Sequence, residues 1–123
     1  MANTICHFEI QVPDLEGARE FYSTLFGWKI TSAPETSGSY CFVQTASEAD
    51  ALGGGLMQRE GEAQGMLLYV LVDSIDETAG RVVELGGALQ HDKTAIPGFG
   101  WVATVSDPHG NRIGLFQEDG EAA

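Results

Sequence analysis

Hydrophobic and polar positions alternate cleanly over residues 5–12, with Phe8, Ile10 and Val12 on one face and His7, Glu9 and Gln11 on the other. Period-two alternation of this kind predicts a half-buried strand. Pro13-Asp14 ends it, and Asp14 is placed to cap a helix in which Leu15, Ala18, Phe21, Tyr22, Leu25 and Phe26 recur at helical spacing before Gly27. Short strands are predicted over Trp28–Thr31, Tyr40–Thr45 and Gly54–Gln58, giving the order β-α-β-β-β. The order then repeats. Met66–Val72 reads as a strand, and Ser74 caps a helix running to about Leu85 before Gly86-Gly87. Ala88–Gln90 reads as a short strand followed by a loop through Ile96–Gly100. Trp101–Ser106 and Arg112–Gln117 flank Asp107-Pro108-His109-Gly110-Asn111, a run rich in turn formers.

The two halves also match in residues. Val12-Pro13-Asp14-Leu15 through Leu25-Phe26-Gly27 is echoed by Val72-Asp73-Ser74-Ile75 through Leu85-Gly86-Gly87, and Gly55-Leu56-Met57-Gln58 by Gly114-Leu115-Phe116-Gln117. Two copies of one unit, about 1–60 and 61–118, therefore fill a single domain covering 1–123. The loops Pro34–Ser39 and Arg59–Gly65 read as flexible, the second linking the halves. Each helix must bury its apolar stripe on a sheet, and Phe8, Ile10 and Val12, with Leu68, Val70 and Val72 as their copies, form the expected floors. The opposite faces then carry His7, Glu9 and Gln11 in one half and Leu67, Tyr69 and Leu71 in the other. Polar side chains in a row on a central strand need solvent or a ligand, because unpaired burial costs about 1–3 kcal/mol per group. Curving the two sheets together would turn that face into the lining of a cleft; a plain solvated sheet face is the alternative.

Composition narrows the partners. The chain carries 18 acidic residues against 6 Lys and Arg, a net charge of -12. This disfavours nucleic acid, whose binding draws on basic residues at phosphates. No apolar run approaches the roughly 20 residues of a membrane span, so no membrane partner is expected. Met1-Ala2-Asn3-Thr4 shows no basic segment leading into an apolar stretch, and Cys6 and Cys41 read as buried free thiols. A cytoplasmic location is expected on these grounds. Gly53-Gly54-Gly55 lacks the lysine of a phosphate-binding loop and is better read as a bend or a close backbone approach.

The segments His7-Phe8-Glu9-Ile10-Gln11-Val12-Pro13-Asp14-Leu15, Phe21-Tyr22, Leu25-Phe26-Gly27-Trp28 and Asp107-Pro108-His109-Gly110-Asn111 with Ile113-Gly114-Leu115, in this order, resemble the vicinal oxygen chelate superfamily. That superfamily includes glyoxalase I, bleomycin-resistance proteins and extradiol dioxygenases. The resemblance implies an α+β protein of two βαβββ modules forming a glyoxalase-like, cup-shaped sheet, and a homodimer.

It also implies where a metal would sit. Carried over residue by residue, the four ligand slots fall on His7, on Gly55 (or Gly54), on Leu67 and on Gly114. Only His7 can donate. A catalytic divalent ion generally needs about three protein ligands and an open position. No metal and no cofactor is therefore expected; a divalent ion on His7 and Glu9 would need a third ligand from Gln11, Tyr69 or a loop. The last-strand glycines read as widening the cleft. Two functions stay open. One is a metal-independent protein holding a small organic molecule against His7, Glu9, Gln11, Phe42, Tyr69, Trp101 and Arg112, with Arg112 placed to receive an anionic group. The other is a lyase, isomerase or dioxygenase of this superfamily, using an unusual metal set or His7 and Glu9 as an acid–base pair.

Overall fold

The computed structural model describes residues 3–33, 39–48, 51–59 and 65–123. Among them the elements run β1 (Ile5–Val12), α1 (Leu15–Phe26), β2 (Lys29–Ser32), β3 (Tyr40–Gln44), β4 (Gly53–Gln58), β5 (Met66–Leu71), α2 (Ile75–Glu84), β6 (Ala88–Ile96), β7 (Gly100–Ser106) and β8 (Arg112–Glu118). This is the twice-repeated βαβββ order of an α+β protein. Neither helix is long and apolar enough to cross a membrane. The loops expected to be flexible fall mainly on 34–38 and 60–64, outside the described residues.

The chain divides into two compact units. The first is His7–Leu67; the second is Leu68–Ala123 with the residues preceding His7. The division differs from a simple halving at 60 because the chain's start is tied to β5. Asn3 N–H donates to the Leu71 carbonyl, Leu71 N–H donates to Thr4, and the Cys6 thiol donates to the Tyr69 carbonyl over 3.6 Å.

In the first unit the strands lie in the order β2-β3-β4-β1, with β1 parallel to β4 and the other pairs antiparallel. α1 starts where expected. Asp14 Oδ1 accepts from Gly17 N–H at 3.1 Å, and Gly27, at φ 72°, takes the left-handed stop that an L-side chain resists. The helix covers a core of Ile10, Leu15, Ile30, Cys41, Val43 and Leu56, with Phe8, Val12, Tyr22 and Trp28 packed around it. Leu56 is wholly buried, a contribution of about 1.5–3 kcal/mol for a side chain of its class.

The second unit repeats the plan as β5-β8-β7-β6, with β5 parallel to β8. Ser74 Oγ accepts from Glu77 N–H at 3.1 Å and caps α2. Val72, Ile75, Ala103, Val105 and Leu115 form its core. Leu68 does not join that floor: it is 41% exposed, while Leu67, assigned to the opposite face, is buried. β6 is also longer than expected, continuing through His91-Asp92-Lys93 to Ile96. It is an edge strand, exposed along most of its length and interrupted by two register shifts, so it lacks the alternation that identifies a half-buried strand.

The repeated glutamines have a structural role. Gln58 Nε2 donates to the Pro13 carbonyl at 2.6 Å, and Gln117 Oε1 accepts from Ile75 N–H at 2.8 Å. Each ties the end of its unit's last strand to the start of its helix, and Gln117 satisfies one of the N–H groups that a helix leaves unpaired.

Candidate functional site

The helix-free face of the first unit is built by strand parity. Glu9 lies in register with Gly55, and Gly55 with Phe42, so β1, β4 and β3 contribute one row. Gln11 is in register with Met57, which pairs with Tyr40. His7, Glu9 and Gln11 thus share the face, as the alternation predicts, and Phe42 joins them through its register with Gly55. Sequence reading missed Tyr40. Its hydroxyl lies 3.2 Å from His7 Nε2 and donates to Glu9 Oε2 at 3.4 Å. The Phe42 ring meets the Tyr40 ring edge-on, 5.8 Å between centroids.

Chemistry assigns the protons in this group. A phenol has one proton, and an ionised carboxylate only accepts, so Tyr40 gives its proton to Glu9 and offers a lone pair to His7. Burial pushes the His7 pKa below its ordinary 6.5. The imidazole is then neutral at pH 7 and donates from Nε2, the tautomer that matches Tyr40.

Gly55 is occupied space. A Cβ built there would run into the Tyr40 hydroxyl. The same relation recurs in the second unit: Gly114 is in register with Tyr69, and a Cβ on Gly114 would run into the Tyr69 ring. The two glycines therefore do not widen anything, contrary to the sequence expectation. Each lets a tyrosine lie flat across the last strand. Gly54, the alternative slot, points to the core side, where its Cβ would meet the Phe8 carbonyl and ring.

These observations bear on a metal. Of the four slots that the resemblance implies, His7 Nε2 faces a phenol; Gly55 and Gly114 could carry a carboxylate only by expelling a tyrosine; Leu67 has no donor atom. No cluster of three or more His, Cys, Asp or Glu side chains suited to a metal occurs among the described residues. These residues do not fit the ion that the resemblance implies.

In the second unit the face opposite α2 carries Tyr69, Arg112, Thr104 and Ser106. Arg112 pairs with Ser106 and Gly114 with Thr104 across β7 and β8. Thr104 and Ser106 are buried polar residues. Among the described residues the Arg112 Nε is buried without a hydrogen-bond partner, and its guanidinium makes no ion pair. Such a buried donor costs about 1–3 kcal/mol while it stays unmet.

Trp101 is not on this face. It shares parity with Ala103 and Val105, packs against the α2 core, and donates from Nε1 to Asp119 Oδ2 at 3.0 Å beneath the Lys93 ammonium. That indole hydrogen bond, more than any other cause, holds the Asp119 carboxyl below its usual range. Trp101 is thereby removed from the ligand-facing set. His91 and His109 lie on exposed positions, His109 in the turn that Asp107 closes by accepting from His109 and Asn111 N–H. An open groove on α1, lined by Gly17, Glu20, Phe21, Thr24 and Leu25, contains none of the expected site residues.

Known proteins resemble the chain in sequence and in fold. Residues 4–46 match the family model of the bleomycin resistance protein-like N-terminal region. CFP32 of Mycobacterium bovis, provisionally named a glyoxylase, is 27% identical over 113 residues, covering 89% of this chain and 43% of its own length. The chain thus spans less than half of that relative. A glyoxalase/bleomycin resistance protein/dioxygenase superfamily member from Vibrio splendidus superposes with a TM-score of 0.67 at 15% identity, covering 94% of this chain and 99% of that one. Methylmalonyl-CoA epimerase from Mycobacterium tuberculosis gives 0.65 at 18% identity, covering 96% and 89%.

Proposed function

We propose that this chain, a glyoxalase-like protein of the vicinal oxygen chelate superfamily, binds a small organic molecule without the help of a divalent ion. The observation that carries this reading is the Tyr40 hydroxyl over Gly55, within 3.2 Å of His7 Nε2. It takes up both the space of a missing ligand and the atom with which the remaining one would bind. What is left on the face is a neutral imidazole, a carboxylate, an amide and two aromatic rings. Such a surface recognises a ligand by hydrogen bonds at one end and ring contact at the other.

Tyr40 also favours a second reading. A phenol linking a neutral imidazole to a carboxylate is a short path for a proton, so His7 and Glu9 could work as an acid–base pair on a bound substrate. The superfamily fold hosts several chemistries and does not choose between the readings.

Thermal-shift screening against small metabolites and antibiotics, run in chelator, tests the binding reading. Stabilising compounds whose effect disappears in Glu9→Gln support it. A screen in which ligands bind only after a divalent ion is added contradicts it. Proton exchange between a bound ligand's acidic C–H and solvent, lost in Glu9→Gln, would favour the acid–base reading.

A further inference from the structure

We propose that Arg112, with the hydroxyls of Ser106 and Thr104, forms a binding point on the second unit for the anionic oxygen group of an organic acid or a phosphate ester. The inference goes beyond the binding reading above: it places a binding point on the second unit and names the chemical class of its ligand. A guanidinium is always charged and carries five donors in a fork that suits a carboxylate or phosphate. Here the Nε member of that fork is buried with no acceptor among the described residues, in a chain that carries 18 acidic residues. The other cations given a role in the structure do find partners: Arg19 bonds the Ile30 carbonyl and Ser32 and approaches Glu16, and Lys93 pairs with Asp76.

The neighbours of Arg112 are suited to the same task. Ser106 stands directly across the ladder from it, and Thr104 lies two residues further along β7 on the same face. Cross-strand partners stand about 5 Å apart, close enough for one anionic group to touch both. Ser106 Oγ accepts from Gln90 Nε2 at 3.0 Å, so its own proton remains to be donated. The adjoining positions on this face are Gly114, Val102, Phe116 and Tyr69, none of them a carboxylate. An incoming oxyanion would therefore meet donors and apolar surface.

The test follows the Arg112 Nε–H signal in proton–nitrogen correlation spectra of the whole chain, assigned by its loss in Arg112→Lys. Sodium benzoate, phenyl phosphate and uncharged benzamide serve as probes. The expected result is a downfield shift with one or both anions and none with benzamide; the stronger anion tells a carboxylate ligand from a phosphate one. Affinity for that anion should fall about tenfold or more in Arg112→Gln and less in Arg112→Lys, which keeps charge but loses the fork. A signal that neither anion moves, or an affinity unchanged in Arg112→Gln, overturns the proposal. If neutral ligands bind at Glu9 while Arg112 stays silent, the anion site falls and the binding reading stands. If binding proves metal-dependent while Arg112 still answers to anions, the reverse holds.

Discussion

Tyr40 rests on Gly55: the phenol hydroxyl lies where a side chain on that residue would begin. The relation reaches across from β3 to β4 and fixes what the helix-free face of the first unit can do. It holds Tyr40 between His7 and Glu9 and closes the last-strand slot.

Gly55→Ala should therefore cost about 1–3 kcal/mol, the usual range for inserting a methyl group into filled space. Urea midpoints measure it. In a Tyr40→Ala background the same change should cost markedly less, because the two residues are in contact and their effects do not add. Equal costs in both backgrounds would mean that Tyr40 does not occupy that space.

His7 makes stability depend on pH in a defined direction. Burial depresses its folded-state pKa below 6.5, so the unfolded chain takes up a proton more readily than the native one. The stabilisation is present above 6.5 and is lost as pH falls through the lower, folded value. Urea midpoints should drop between pH 7.5 and 5.5, and His7→Gln should flatten that part of the profile. Direct titration of the His7 ring signals should give a midpoint below 6.5.

Trp101→Phe separates the two faces of the second unit. It removes the hydrogen bond to Asp119, and a bond of this type contributes about 0.5–1.5 kcal/mol. Because Trp101 packs on the α2 side, ligand affinity should stay unchanged while the urea midpoint falls. Lost affinity at unchanged stability would place Trp101 with the ligand after all.

Both thiols should be sluggish. Burial pushes the Cys6 thiol pKa up, and Cys41 is 1% exposed in the first core. Iodoacetamide at pH 7.5 should label the native chain slowly and the urea-unfolded chain at both cysteines, as read by mass spectrometry. Rapid native labelling of Cys6 would indicate an activated thiolate.

Much of this was legible in the residues. The alternation through His7–Val12, the Asp14 and Ser74 caps and the matched closing strings gave the element order, because each depends on local chemistry. β6 escaped because an edge strand exposed on both sides has no alternation to read. Leu68 shares the parity of Val70 and Val72 but stands one residue before β5's pairing with β8 begins and stays exposed, and Trp101 packs with the core because it shares the parity of Ala103 and Val105. Tyr40 could have been grouped with Phe42 by parity, but its contact with Gly55 is diagonal and depends on how β3 and β4 align.

The central claim is that Tyr40 and the two last-strand glycines leave this scaffold without a working metal cage. Elemental analysis of gently purified protein, joined to calorimetric titration with Ni2+, Zn2+, Mn2+ and Fe2+, tests it most directly. Little or no bound metal, and weak heats that are the same in His7→Ala, are expected. One ion per chain, held tightly and lost in His7→Ala, would contradict the claim.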